Sequence, residues 1–510
     1  MPFYENFGFK NHPFAQTNAD EEPLLKDYFV PPPFFDAVVG DAKLPGPCMV
    51  LAPRGAGKTA QRRMVEAWAA KNGVLAVTYD RFEFASGQSL EDIGLAYHLK
   101  NIIVRILLSY LSFLAEFPDL LRNLDSDKRR TLSLFIHTYL GDMTGERLQD
   151  VLKDLKTISE KIREFWSRHV GVLESVVNVL LKQYGLDTID LPDLRHEEKK
   201  VSHTYKYQLE ILADVVRLVG CTSIYILVDK LDESEKTGTN PEKTYRLLEP
   251  LVKDLELMGL HGYGFKFFVW DRILPFFRKD ARPDRMAQHT LSWTRPNLEK
   301  VLSARLSAFS GGSVKSFGQL LSENVSYSID AAMCLIANGS PRNLFRMCEK
   351  ILAVQAERDP QAKSITIASV DRGIVLYCEE ITEELYGEEV CRDLMRTGRE
   401  LFTINYLAND VFKTTHENTS RNKVTKWQEA GVVTQIGTVS VASAKRPLNF
   451  YYVCDPAMTR IIHQAQSLEV FLKNRWLTCT HCGVDNLMDI ELLPEGNDAL
   501  CHECNRNLFG

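Results

Sequence analysis

Apolar runs of β type, Cys48-Met49-Val50-Leu51, Val74 to Tyr79, Ser223 to Val228 and Phe265 to Trp270, are separated by stretches in which apolar side chains recur every three or four residues. The runs read as strands, the stretches as helices with one apolar side. After the first run come a glycine-containing loop and then Thr59 to Ala70 with helical spacing. Strand, loop, helix and strand is the opening of a parallel α/β sheet. A shorter run, Thr290 to Trp293, is predicted as an edge strand. From Ser89 to about Leu218 the spacing is helical, which predicts a helical insertion over residues 88–218. Its stripe of Ile102, Ile106, Leu107 and Leu114 reads mostly as a core of its own, and the charged, poorly patterned stretch Pro192 to Lys200 reads as a joint.

Helices dominate again from Asn297 to Glu384, punctuated by Gly339-Ser340-Pro341. Leu401 to Phe412 is predicted as a helix through Leu401, Ile404, Leu407 and Val411. Thr414 to Asn418 breaks it, and Ser420 to Ala430 forms a second helix ending at Gly431. Val432 to Ile436 and Leu448 to Val453 then pair as a hairpin. Ahead of the first strand, the Pro-rich and aromatic segment from Asn11 to Val39 reads as an extended lead-in packed on a domain.

Composition sharpens this only in part. With 45% hydrophobic and 25% charged residues, the 510-residue chain is an ordinary folded, multidomain one, neither collagenous nor disordered. Its formal charge of -6 gives no general attraction for nucleic acid or acidic membrane, so any such binding needs a local patch. The start lacks a basic stretch followed by an apolar segment, and Asn101 to Leu114 is too short to span a bilayer, so a cytoplasmic protein without membrane contact is expected. Seven cysteines are scattered singly and read as reduced core residues. No nuclease, protease or deaminase constellation stands out.

The loop after the first strand, Ala52-Pro53-Arg54-Gly55-Ala56-Gly57-Lys58-Thr59, is the phosphate-binding pattern with Ala52 in place of its first glycine. Backbone N–H groups of such a turn at a helix N-terminus cradle phosphates, the lysine reaches the β and γ groups, and the hydroxyl ligates Mg²⁺. Pro53, Arg54, Gly55, Ala56, Gly57, Lys58, Thr59 and Ala60 are therefore the expected ATP contacts, with Thr59 on the magnesium side. The strand Ile224 to Val228 ends in Asp229, the expected second Mg²⁺-side group. Where many hydrolysing P-loop enzymes place a Glu directly after that Asp, this chain has Lys230. Either Asp232 or Glu233 orients the attacking water from one turn on, or hydrolysis is slow and the site is chiefly a switch.

These residues, with the strand Phe265 to Trp270 ending at Asp271 and Gly339-Ser340-Pro341-Arg342-Asn343-Leu344, resemble an AAA+ module. They look most like the origin-recognition-complex type and the related signal-transducing STAND ATPases of bacteria. The lead-in Asn18 to Leu25 with Tyr28-Phe29-Val30 is similar to bacterial P-loop ATPases of antiphage defence loci. The resemblance implies Asp271 in the sensor-1 place, Arg342 as the sensor-2 arginine of a helical lid, and Arg282 or Arg285 as the arginine offered to a neighbour's γ-phosphate in a homo-oligomer. It also implies a winged-helix domain after the lid, which the helix, turn, helix and hairpin pattern from Leu401 to Val453 matches.

The second helix of that pattern carries Arg421, Lys423 and Lys426, and the tip of its hairpin Lys445 and Arg446. From Gly398 to Phe450 there are seven Lys and Arg against four acids, a local +3. Such a face suits DNA phosphates, while winged helices also dock proteins. Finally, Cys479-Thr480-His481-Cys482 and Cys501-His502-Glu503-Cys504 have the spacing of a closed, structural four-cysteine zinc site. The acids around it (Asp485, Asp489, Glu491, Glu495, Asp498) favour a protein partner for this ribbon.

The expected organisation is an α/β chain: lead-in 1–40, P-loop ATPase core 41–296 on a parallel sheet, helical lid 297–390, winged-helix-like domain 391–465 and zinc ribbon 466–510. The expected function is an ATP hydrolase or switch using ATP, Mg²⁺ and Zn²⁺. Its nucleotide state controls oligomerisation and engagement of DNA or an effector partner, in an antiphage setting. The alternatives are a weakly hydrolysing scaffold that recruits a separate effector, and a replication initiator or loader.

Overall fold

The computed structural model describes residues 2–140, 204–414, 416–439, 447–493 and 500–508. Most of the central part of the expected insertion, its joint at Pro192 to Lys200, and Lys445, Arg446, Glu495 and Asp498 lie outside them. The chain divides into two compact units, Pro31–Leu291 and the combination of Met1–Val30 with Ser292–Gly510.

The first unit is built on a five-stranded parallel sheet in the order β2-β3-β4-β1-β5. Its elements run α1 (Phe35–Val39), β1 (Cys48–Ala52), α2 (Lys58–Lys71), β2 (Val74–Tyr79), α3 (Leu95–Glu116), α4 (Ser126–Leu140), α5 (Tyr205–Leu218), β3 (Ser223–Val228), α6 (Pro241–Val252), β4 (Tyr263–Trp270), α7 (Leu274–Asp280) and β5 (Ala287–Thr290). Every residue of β1 and β3 is buried, which is why those strands read as unbroken apolar runs. The α/β class with a parallel P-loop core is therefore as expected. The edge strand lies at Ala287–Thr290, ahead of the predicted Thr290 to Trp293. Its Ala-Gln-His-Thr sequence is partly exposed and has no apolar run to announce it.

A further expectation needs correction. Ile102, Ile106, Leu107 and Leu114 of α3 do not form a separate core: they join one cluster with Met49, Val77, Ile226 and Phe265 of the sheet. The stripe of α3 covers the sheet because a parallel strand is buried on both faces and needs a helix there. No described helix is long and apolar enough to cross a membrane.

The second unit contains α8 (Arg295–Ser310), α9 (Ile329–Ile336), α10 (Pro341–Arg358), α11 (Ile367–Tyr386) and α12 (Glu388–Met395). Ser340 accepts from the Asn343 amide to cap α10, whose first residue is proline, so the Gly-Ser-Pro punctuation is a helix start. Gly373 of α11 lets the α10 backbone approach: a Cβ there would stand 2.7 Å from the Ile351 Cα. The lead-in is strapped to these helices by Arg305, 1% exposed, which donates to the Pro13 and Gln16 carbonyls and to Glu22, and lies over the rings of Tyr28, Phe309 and Phe345.

Beyond α12 come β6 (Leu401–Thr403), α13 (Glu417–Glu429), β7 (Val433–Val439), β8 (Leu448–Val453), α14 (Pro456–Ile462) and α15 (Leu468–Arg475), then the hairpin β9 (Trp476–Thr478) and β10 (Asp485–Leu487). The predicted helix Leu401 to Phe412 in fact begins as a strand, because Leu401 and Phe402 pair with Tyr452 and Tyr451 to complete an antiparallel sheet β6-β8-β7; helical backbone starts only at Ile404. Helices beside a three-stranded antiparallel sheet are the winged-helix arrangement that the pattern implied.

Candidate nucleotide site

Strand β1 is an interior strand, flanked by β4 and β5, and delivers the loop Pro53–Gly57 to the carboxyl end of the sheet, where ligands of open α/β sheets bind. Gly55 and Gly57 adopt φ of 79° and 97°, a left-handed backbone that L side chains disfavour. Gly57 is the N-cap of α2, and no side chain caps that helix. The amides of its first turn are thus left to an anion, with the helix dipole favouring negative charge there. Ala52 is the last residue of β1, in register with Trp270, and does not take positive φ. That position needs no glycine, so the departure from the usual pattern leaves the turn intact. Lys58 donates its Nζ back to the carbonyls of Ala52 and Pro53, at 3.3 and 3.5 Å.

Strands β2 and β3 are paired so that Tyr79 lies beside Val228, and the Asp229 amide donates to the Tyr79 carbonyl at 3.1 Å. The next residues, Asp80 and Asp229, are therefore level neighbours at the ends of adjacent strands. Asp229 is 1% exposed; its Oδ2 accepts from Arg62 Nε at 3.0 Å and its Oδ1 from the Lys230 amide at 2.9 Å. Burial pushes its carboxyl above the usual range, Arg62 opposes that shift, and Asp80 adds to it. Arg62, one turn along α2 from Lys58 and fully buried, also binds Glu66 and Thr78, and stands 3.9 Å from Asp80. Sequence reading did not single out Arg62, Glu66 or Asp80. The available signal was at Val74 to Tyr79, an apolar strand ending in Asp like the one before Asp229.

Lys230, at φ 58°, is a non-glycine residue in left-handed conformation, a strain of about 1 kcal/mol. Its Nζ lies 3.8 Å from Asp80 Oδ2. Asp232 is buried, and its carboxylate and carbonyl accept from Arg54 at 3.0 and 2.8 Å; Arg54 also reaches the Gly238 carbonyl and lies 4.6 Å from the Trp270 ring centroid. Asp232 thus ties the phosphate loop to the loop after β3. Glu233 is exposed. Asp271 follows β4 at the same end of the sheet, and its buried Oδ1 has no hydrogen-bond partner among the described residues. Arg282 and Arg285 are exposed on the short turn before β5, both on Asp284. Arg342 is an exposed residue in the first turn of α10, in the other unit.

In the second unit, Arg421 and Lys426 are exposed on α13, while Ser420, Val424 and Trp427 form its buried side. Lys423 is turned inward, paired with Asp393 and 5.2 Å from the Phe412 ring centroid. The four cysteine sulfurs lie within 4.8 Å of one another, with Cys479 to Cys504 at 3.7 Å and Cys482 to Cys501 at 3.6 Å. A tetrahedron with metal–sulfur bonds of about 2.3 Å has edges of about 3.8 Å, so the cluster is compatible with zinc. Asn486, fully buried, donates to Cys501 Sγ and accepts from the His502 amide, the kind of outer contact that fixes a ligand. The ribbon packs Met488 and Leu508 against Leu401, Phe450 and Tyr452. The acidic surface expected there is partly consumed: Asp485 binds Arg295 and Trp476, and Asp489 binds Arg475.

No family model and no curated protein matches the chain. Among solved structures it is similar to the Aeropyrum pernix ORC2 protein in ADPNP-ADP complexes (13% identity, 92% of this chain, 98% of that one, TM-score 0.37). It is also similar to Cdc6p from Pyrobaculum aerophilum (11%, 91% and 98%, TM-score 0.32) and to the A. pernix ORC1 protein in complex with DNA (12%, 90% and 99%, TM-score 0.32).

Proposed function

We propose that this chain is an ATP-binding switch of the AAA+ type that hydrolyses ATP slowly, its nucleotide state controlling self-assembly and engagement of DNA or an effector. The observation that carries the reading is the uncapped N-terminus of α2 behind the left-handed Gly55 and Gly57, with Asp229 at the end of a nearby strand. Lys58 and the amides of residues 55–60 would hold the phosphates. Thr59 and Asp229 suit Mg²⁺, a hard cation that keeps its waters and binds through one or two carboxylates together with phosphates. When bound, the metal supplies charge neutralisation at the phosphates.

Slow turnover is favoured by two observations: position 230 is a lysine, and the Asp232 carboxylate is taken up by Arg54. That leaves the exposed Glu233 as the candidate among the acids expected to orient water, and Asp271 is proposed as the sensor. Arg342, Arg282 and Arg285 are proposed to act on a bound or neighbouring γ-phosphate, the last two once a second copy assembles. Arg421 and Lys426 are the proposed phosphate contacts to DNA, with Lys445 and Arg446. The replication-initiator reading fits the same residues, and the antiphage setting rests on the lead-in likeness. ATP hydrolysis measured with and without double-stranded DNA, with Lys58→Ala as blank, tests the reading. Turnover is expected to fall on the order of 100-fold in the variant, as when one charge-stabilising donor is removed from an active site. Nucleotide binding that survives Lys58→Ala unchanged would sink it.

A further inference from the structure

Asp80 stands out beside Asp229 at the sheet's carboxyl end. Its side chain is 3% exposed, yet among the described residues its Oδ1 has no hydrogen-bond partner. Its Oδ2 meets two cations only at long range, Arg62 Nη2 at 3.9 Å and Lys230 Nζ at 3.8 Å. Asp229, one strand over, is by contrast hydrogen-bonded through both oxygens, at 3.0 and 2.9 Å. Buried carboxylates are normally hydrogen-bonded, because an uncompensated one costs several kcal/mol.

We propose that Asp80 is the second carboxylate of the nucleotide site, set beside Asp229 to hold the water shell of the divalent cation that enters with the triphosphate, and that Lys230 neutralises it until then. The proposal rests on the nucleotide reading above. Level placement follows from the Tyr79 and Val228 register, so both acids end at the same height of the sheet. A hydrated Mg²⁺ offers water hydrogens, which is what an under-bonded carboxylate oxygen lacks. Lys230 then has a role of its own. A glutamate there would raise the local acid count to four, whereas the lysine offsets Asp80 before the cation enters and is displaced from it afterwards. Asp80 is a positioning residue in this account.

The test is titration of the full-length protein with a non-hydrolysable ATP analogue over a range of Mg²⁺ concentrations, with Mn²⁺ binding followed by electron paramagnetic resonance as a second readout. Asp80→Asn is expected to need about tenfold more Mg²⁺ for half-maximal nucleotide affinity, the usual cost of losing an outer-sphere partner, while metal-free nucleotide binding stays as in the wild type. Asp80→Glu is expected to recover part of the loss, and Lys230→Met to shift the half-point towards lower Mg²⁺. A half-point within about twofold of wild type in both Asp80→Asn and Lys230→Met overturns the proposal while leaving the nucleotide reading standing. Should Asp80→Asn melt at working temperature, an unmoved half-point in Lys230→Met overturns it alone. A wild-type protein that binds no nucleotide with Mg²⁺ removes both readings.

Discussion

The nucleotide end of the sheet and the cysteine ribbon solve opposite problems. The ribbon brings its ligands together by short-range turns. Cys479 accepts from Gly483 at 2.9 Å, Cys501 from Asn505 at 3.0 Å, and Gly483 and Asn505 supply the left-handed residues those knuckles need. The nucleotide end is assembled by register between distant segments: Arg62 reaches Asp229, Arg54 reaches Asp232, and Asp80 lies beside Asp229 only because β2 pairs with β3. One site is closed by its ligand set; the other keeps uncapped amides and an under-bonded carboxylate. A site that stores unsatisfied groups in its folded state is built to receive something charged.

The contrast is broken most strongly by taking the metal from the ribbon. Elemental analysis of the purified chain should return close to one zinc per chain, and Cys501→Ser should lose it. Zinc-binding free energies in small cysteine sites run to about 10–16 kcal/mol, and the ribbon's Met488 and Leu508 pack against the β6-β8-β7 sheet. Cys501→Ser should therefore lower the melting of the second unit's signals by far more than a typical core substitution. Melting that does not respond to metal would mean that packing alone holds the ribbon.

Next in size is Arg62→Met. Removing the buried guanidinium leaves Asp229, Glu66 and Asp80 without their shared cation, and breaking such a pair costs about 3–5 kcal/mol. Urea unfolding should show that loss without bound nucleotide. Stability equal to wild type would show that the network is no part of what holds the core together.

This difference also decides what could be read beforehand. The phosphate loop and the cysteine pairs are contiguous in sequence, so Gly55, Gly57, Lys58 and the two Cys-x-x-Cys motifs were legible. The strands β1 and β3 were legible because burial on both faces leaves unbroken apolar runs. Asp80, Arg62 and the Arg54 to Asp232 link were not, since their meaning lies in register and in which strand neighbours which. The short edge strands β5 and β6 were misplaced or missed for the related reason that their pairing partners, rather than their own few residues, make them strands. Lys423 looked like its neighbours on α13 until the fold turned it towards Asp393.

A smaller effect separates the two regions by pH. His98 of α3 is fully buried, with its Nδ1 2.9 Å from the Tyr79 hydroxyl, and burial pushes it down to about 4. Its unfolded value is 6.5, so the unfolded chain binds the extra proton between pH 6.5 and 4. Stability from the neutral ring is complete above pH 6.5 and is lost as the pH falls towards 4, by on the order of 3 kcal/mol in all. His98→Phe should flatten that part of the pH profile of urea midpoints for the first unit, leaving the second unit's unchanged. A wild-type profile that is level across the window would show that His98 titrates normally.

The smallest expected effect tests whether the basic helix reads as its charge suggests. Arg421→Gln and Lys426→Gln, exposed and outside the buried side of α13, should each weaken DNA binding uniformly across sequences and lower the salt slope of the affinity by about 1, with melting unchanged. Lys423→Gln should do the reverse, leaving the salt slope alone and costing a little stability, since its ammonium is spent on Asp393. The three substitutions remove the same charge from the same short helix, so net charge cannot explain a difference among them. If all three lower the salt slope equally, the Asp393 pair opens on DNA and α13 presents all three cations. If none does, the helix is a protein-docking face, and the charge count over this domain carries no phosphate contact through α13.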